Sequence, residues 1–209
     1  MSEYRLHCFA QSGNSYKPAL MLELAGADWA PVFVDFFNGA SRSLEFKALN
    51  QMGEAPVLEH GGQVICQSGV ILDYLAEKLG KFGPSDDAER REILRWILWD
   101  NHKFTSYNAT WRFMINFVPE EKRSADVIGF LETRGRPALG VLEAHLTDRD
   151  WIVGNKMTIA DLSCAGYMFY DDEFPFDWAA EFPAITAWKG RIRAMSGWKP
   201  PYDLMPGKN

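Results

Sequence analysis

The sequence predicts an α/β domain followed by an all-α helical domain, and three observations carry that expectation. Strand-like and helix-like apolar patterns alternate up to about Gly80. A stretch rich in helix and strand breakers, Gly80-Lys81-Phe82-Gly83-Pro84-Ser85, interrupts the chain. Beyond it the period-two patterns nearly vanish. The expected division is 1–80 for the sheet domain, 81–85 for a linker and 86–209 for the helical domain. With 209 residues, one large domain and two small ones are both allowed, so the change of pattern makes the division rather than the length.

Tyr4 to Ala10 is an apolar run with strand character, and Gln11-Ser12-Gly13-Asn14-Ser15 follows as a turn. A helix over Tyr16 to Ala25 is expected to start near Pro18, which suits a first helical turn, and to stop at Gly26. Pro31 to Phe37, rich in Val and Phe, returns as a second strand parallel to the first, a right-handed βαβ unit. After a possible short helix at Leu44 to Leu49, Val57 to His60 and Gln63 to Cys66 flank Gly61-Gly62, a pair that meets the positive-φ demand of a two-residue hairpin turn. Ser68 is expected to cap a helix carrying Val70, Ile71, Tyr74, Leu75 and Leu79, with Gly80 at its end. The order βαβ-ββα closes as a four-stranded mixed sheet with helices packed on it. In the second part, Asp86 to Phe117 reads as one long helix. Glu120 to His145 reads as another, bent or split at Gly135 and Pro137. Thr158-Ile159-Ala160-Asp161 is a capping box opening the segment to Tyr170, and a last helix spans Ala184 to Ser196.

Composition narrows the function. A net charge of −6, with both parts acidic, lacks the basic surplus that phosphate backbones require, which argues against nucleic acid. The longest charge-free stretch, His60 to Leu72, is shorter than the ~18 apolar residues of a membrane span. Met1-Ser2-Glu3-Tyr4-Arg5 has no secretion-signal pattern, so a cytoplasmic protein without membrane contact is expected. Cys8, Cys66 and Cys164 are far apart, odd in number and without CxxC or Cys/His spacing. They are expected to be buried small hydrophobes rather than disulfide or metal ligands.

Ser12 to Ser15 occupy the loop entering the first helix, where free N–H groups and the helix dipole favour a thiolate. Lowering a thiol from ~8.5 by about two units corresponds to roughly 2.7 kcal/mol, within reach of a hydroxyl hydrogen bond plus that dipole. The loop reads Ser12-x-x-Ser15 and contains no cysteine. Taken alone, Ser12 and Ser15 are better read as turn and cap residues.

Ser12-Gly13-Asn14-Ser15-Tyr16-Lys17 followed by Ala55-Pro56, Gln67-Ser68 and the Thr158 to Asp161 box, in this order and architecture, resembles the cytosolic glutathione transferase superfamily of bacterial Ser-x-Asn type over nearly the whole chain. The resemblance implies a thioredoxin-like N-terminal domain, glutathione as cosubstrate, no metal, a small hydrophobic electrophile as acceptor and a homodimer. It implies Ser12 and Asn14 as catalytic donors to the thiolate, and a cis bond before Pro56 that turns the Ala55 N–H and C=O toward the cysteine backbone of glutathione. It also implies Gln67 and Ser68 at the γ-glutamyl carboxylate. Family members often have Lys or Gln before the proline turn, touching the glycine carboxylate. This chain has Glu54, whose charge would repel it, with Arg42 or Gln51 as the candidate substitutes. Lys17 could also be a surface charge and is not carried over. Tyr107 and Trp111, from an aromatic stripe on the long helix, are expected to line the acceptor pocket, although such stripes are more often core. Asp100 reads either as a solvated or subunit-facing residue or as the partner of the glutathione ammonium. The function implied is conjugation of the glutathione thiolate to electrophiles, a detoxifying transferase. The alternatives are a glutathione-dependent disulfide reductase or peroxidase on the same fold, and a non-catalytic carrier or interaction module.

Overall fold

The computed structural model describes residues 2–207, which group into two compact units: the chain up to Gly83 together with Arg193 onward, and Pro84–Ile192. The first unit is built on a four-stranded sheet of order β2-β1-β3-β4, with β1 at Tyr4–Cys8, β2 at Trp29–Phe33, β3 at Val57–His60 and β4 at Gln63–Cys66. β1 runs parallel to β2 and antiparallel to β3, and β3 pairs antiparallel with β4. The mixed sheet expected from the sequence is therefore present. Pro31 sits opposite Leu6 in β2, and an edge strand is where a residue without an N–H can be tolerated. In the hairpin, Gly61 and Gly62 both take positive φ, 56° and 78°, with His60 paired to Gln63.

Leu6 and Leu58 face one another across the β1/β3 ladder and are fully buried, and α1 (Gly13–Ala25) and α3 (Ser68–Leu79) pack together against the sheet. The opposite parity of β1 and β3 meets α2 (Leu44–Leu49) in a cluster of Phe9, Val34, Phe46 and Val57. Local chemistry moves two expected boundaries. α1 begins at Gly13, capped by Ser12, so Pro18 lies inside the helix rather than in its first turn; a buried helix holds its path by packing even where one backbone bond is missing. Lys17, for which a surface position was one of the readings, is fully buried in α1. The cap of α3 is Gln67, in the left-handed region at φ 69°, and Ser68 is the first helical residue, so its side chain does not cap.

In the second unit, α4 (Asp87–Trp99) is capped by Asp86, whose carboxylate accepts from the Glu89 N–H at 2.8 Å. The single long helix expected to Phe117 is interrupted by a π-helical turn at Asp100–Phe104 before α5 (Thr105–Asn116). That turn directs Asp100 inward, where it is 0% exposed and accepts hydrogen bonds from the Thr105 and Ser163 hydroxyls, both at 2.6 Å. Neither a solvated nor an ammonium-binding Asp100 survives, because its oxygens are taken. Trp111, expected on a pocket wall, is 1% exposed with its ring edge-on to Phe174 and Phe176 at 6.2 and 5.2 Å, and belongs to the core of this unit. Tyr107 is half-buried against Phe130.

Helix α6 (Ala125–Leu146) runs unbroken through Pro137, where a bend or split was expected. Its Gly135 serves the crossing with α5: a Cβ there would lie 2.8 Å from Asn108 Oδ1 and 3.2 Å from Trp111 Cε3. The capping box forms as expected, with Thr158 and Asp161 bonded reciprocally at the start of α7 (Ile159–Ala165), which ends before Tyr170. A short α8 (Trp178–Glu181), α9 (Pro183–Arg193) and α10 (Pro201–Leu204) complete the described helices. The segment from Arg193 onward packs with the sheet unit, a return that a composition shift at 81–85 does not foresee. No helix among the described residues is long and apolar enough to cross a membrane.

Candidate active site

The turn between β1 and α1 is held from both ends. The Ser12 N–H donates to the Phe9 carbonyl at 3.1 Å, and the Tyr16 N–H donates to the Ser12 carbonyl at 2.9 Å. The C-terminal segment ties it further. The Ala10 N–H donates to the Pro206 carbonyl at 2.7 Å, Gln11 Nε2 to the Gly207 carbonyl at 2.5 Å, and the Tyr16 hydroxyl to the Lys199 carbonyl at 2.7 Å. Sequence reasoning misses these ties because nothing local links residue 11 to residue 207.

Ser12 Oγ accepts from the Ser15 N–H at 3.1 Å, so the residue is the helix cap. Capping uses a lone pair and leaves the hydroxyl proton, for which the described residues provide no acceptor. Ser12 is 6% exposed, and next to it Asn14 Oδ1 and Ser15 Oγ are buried without a hydrogen-bond partner. Buried polar atoms are rarely left unpaired, and these two lie in the first turn of the helix, where its dipole is positive.

The chain's own thiols are elsewhere. Cys8 is fully buried in β1, and desolvation pushes its thiol up to about 12. Cys66 is half-buried and also raised by desolvation, and Cys164 is 1% exposed. Because the thiolate is the reactive form, native protein at pH 7.5 is expected to leave Cys8 and Cys164 unalkylated by iodoacetamide. Mass spectrometry should find those two labelled only after denaturation, with half-buried Cys66 labelled before them.

The second strand of the site starts at a cis Ala55-Pro56 bond, as expected. The Ala55 N–H and C=O have no hydrogen-bond partner among the described residues, the ladder with β4 beginning at Val57. The preceding turn is pinned by Asn50, which no sequence motif singles out: its Nδ2 donates to the Glu54 carbonyl at 2.7 Å and its Oδ1 accepts from the Met52 N–H at 3.1 Å. Ser68, 6% exposed at the start of α3, has a hydroxyl without a partner. Gln67 Nε2 donates to Glu54 Oε2 at 3.1 Å and reaches Met52 Sδ at 3.2 Å. Arg42 and Gln51 are exposed, and no described side chain holds either of them. Lys47 Cε lies 3.6 Å from where a Cβ on Gly53 would sit.

Ser12, Asn14, Ala55, Pro56, Gln67 and Ser68 all belong to the first unit, while Tyr107 and Trp111 belong to the second. A βαβ-ββα sheet joined to a helical unit defines a two-domain protein of the thioredoxin-fold class. Its N-terminal part, residues 3–77, matches the family model for the glutathione S-transferase N-terminal domain, and residues 110–195 match that for the C-terminal domain. Glutathione S-transferase 2 of Schizosaccharomyces pombe is 30% identical, over 97% of this chain and 96% of that protein. The disulfide-bond oxidoreductase YfcG of Escherichia coli is 28% identical, over 89% of this chain and 88% of its own. The crystal structure of a glutathione S-transferase from Pseudomonas fluorescens superimposes with a TM-score of 0.88 at 32% identity, covering 96% of this chain and 99% of that one. The chain belongs to the cytosolic glutathione S-transferase superfamily.

Proposed function

We propose that the protein is a glutathione S-transferase whose first turn of α1 stabilises the cosubstrate's sulfur as a thiolate for attack on small apolar electrophiles. One observation carries the reading. Ser12 caps α1 yet keeps a hydroxyl proton without an acceptor, in a loop that contains no cysteine. Glutathione supplies the sulfur nucleophile. The Ser12 O–H donates to that sulfur, and the unpaired first-turn N–H groups and helix dipole add positive potential at the same point. Asn14 orients the loop side of the sulfur. The Ala55 N–H and C=O pair with the cysteine backbone as a further ladder rung, and the α3 N-terminus with the Ser68 hydroxyl takes the γ-glutamyl carboxylate. Rate enhancement then comes from a larger thiolate fraction and from proximity, with no general base needed. Of the two α5 aromatics that are candidates for the acceptor pocket, Tyr107 is the one left, since Trp111 is core. A homodimer and a cytoplasmic location belong to the same reading, by likeness to the family.

Reduction of glutathione-containing disulfides is the second reading, favoured by the similarity to the Escherichia coli disulfide-bond oxidoreductase. An exposed thiolate serves exchange as readily as substitution. Assays on an aryl halide and on a mixed disulfide separate the two, and Asn14→Ala is expected to lower whichever activity is present about tenfold, the effect of one lost hydrogen bond to a charged group. Millimolar glutathione producing neither calorimetric heat nor a melting shift would reject both readings and leave a carrier.

A further inference from the structure

The sheet holds β1 only as far as the approach to the Ser12 turn. His7 is the last residue of β1 paired with β3, and Cys8 is the last paired with β2. Beyond them the Ala10 N–H donates to the Pro206 carbonyl at 2.7 Å, and Gln11 Nε2 donates to the Gly207 carbonyl at 2.5 Å. Ala10 and Gln11 lead straight into Ser12. The segment that supplies the two carbonyls is itself anchored on α1. The Tyr16 hydroxyl donates to the Lys199 carbonyl at 2.7 Å, Lys199 Nζ donates to Glu23 Oε1 at 2.5 Å, and Pro201, Leu204 and Met205 are buried. Pro200, Pro201 and Pro206 fix φ along the segment. Gly207 takes φ 90°, which side chains disfavour, and a Cβ there would overlap the Phe33 ring. The segment is thus a strap, pinned to α1 at one end and to the approach of Ser12 at the other.

We propose that Gln11 is a positioning residue for catalysis: through its bond to the Gly207 carbonyl it locks the backbone that carries Ser12, and so sets where the Ser12 hydroxyl stands relative to the sulfur. The inference rests on the thiolate reading above. Capping the Ser15 N–H uses one lone pair of Ser12 Oγ, but donation to a sulfur depends on distance and angle at that oxygen, which the backbone sets. A misplacement of about 1 Å costs a catalytic group up to about 100-fold. Gln11 supplies no group to the reaction and acts only through the backbone of the residue that follows it.

Gln11→Met in the full chain tests this, because methionine keeps the side chain's length and removes its donor. Ultraviolet titration should show the bound glutathione thiol raised by about one pKa unit, and kcat on an aryl halide should fall about tenfold at pH values below that pKa. The loss should close as pH rises, since the thiolate then forms without help, while KM for glutathione stays within about twofold of wild type. A loss that persists to high pH with an unshifted thiol is a general structural defect and overturns the proposal. A second pair of variants tests the route. A chain shortened after Met205 lacks both carbonyls, and within it Gln11→Met should change nothing further; if that chain melts too low to assay, Gly207→Ala takes its place in the cycle. Effects that add in full mean that Gln11 does not act through Gly207, which also overturns the proposal. A wild type that leaves the glutathione thiol at its value in water removes the thiolate reading itself, whereas a lowered wild-type thiol that Gln11→Met does not move sinks the positioning role alone.

Discussion

Ser12→Ala is expected to lower kcat/KM on an aryl halide by about 10- to 100-fold and to raise the pKa of the bound glutathione thiol by about one to two units, read by ultraviolet titration of the thiolate. A hydrogen bond to a charged group contributes about 1.5–3 kcal/mol, which sets both figures. The same substitution removes the α1 cap, since Ser12 Oγ accepts from the Ser15 N–H, and that loss costs about 1 kcal/mol of stability. Two further variants separate chemistry from folding. Aspartate caps a helix as well as serine but puts a negative charge where the sulfur would sit. Ser12→Asp should therefore melt like the wild type and lose more activity than Ser12→Ala. Ser12→Thr keeps the hydroxyl and should retain most of it. A stable Ser12→Asp protein with an undiminished thiolate signal would show that the sulfur is not at Ser12.

The largest expected effect on stability is at Asp161. Its Oδ1 accepts from the Ile152 N–H at 2.9 Å and from Trp188 Nε1 at 3.0 Å, and its Oδ2 from the Thr158 N–H at 2.9 Å. The residue is fully buried. Asp161→Ala strands three buried N–H donors and removes the acceptor of the Thr158 hydroxyl at 3.3 Å, and a loss of about 3–5 kcal/mol in urea unfolding is expected. The loss should also depend on pH. Burial is the largest influence on the Asp161 carboxyl and raises it from 3.8 to about 6, against the opposing pull of the Ile152, Thr158 and Trp188 donors. A group raised in the folded state contributes stability that is fully present below its unfolded pKa and is lost as pH rises through its folded pKa. The destabilisation by Asp161→Ala should therefore be greater at pH 4 than at pH 7, by up to about 3 kcal/mol. A penalty that grows toward pH 7 would mean that the three donors outweigh desolvation.

Features set by neighbours along the chain are legible in the residues themselves. The Gly61-Gly62 hairpin, the Thr158 to Asp161 box, the βαβ-ββα order and the cis bond at Ala55-Pro56 all appear in the fold as expected. Ser12 is legible in both of its roles, as cap and as donor candidate, because one follows from a lone pair and the other from the proton of the same hydroxyl. Aromatic spacing at 107 and 111 cannot tell wall from core. On a helix both give the same periodicity, and only the approach of Phe174 and Phe176 assigns Trp111. Asp100 escapes sequence reasoning for a related reason. A π-helical turn shifts the phase of the helix, and a phase shift leaves no mark in a pattern read at 3.6 residues per turn.

The sequence by itself determined the family, the sheet and its turns, since each depends on residue types a few positions apart. Only the tertiary structure decided that the C-terminal segment fastens the Ser12 loop, that Asp100 is spent on Thr105 and Ser163, and that Glu54 turns toward Gln67. These are contacts between groups 5 to 196 positions apart in the chain. Their formation depends on where packing brings the backbone, a collective property of the fold that no local pattern encodes.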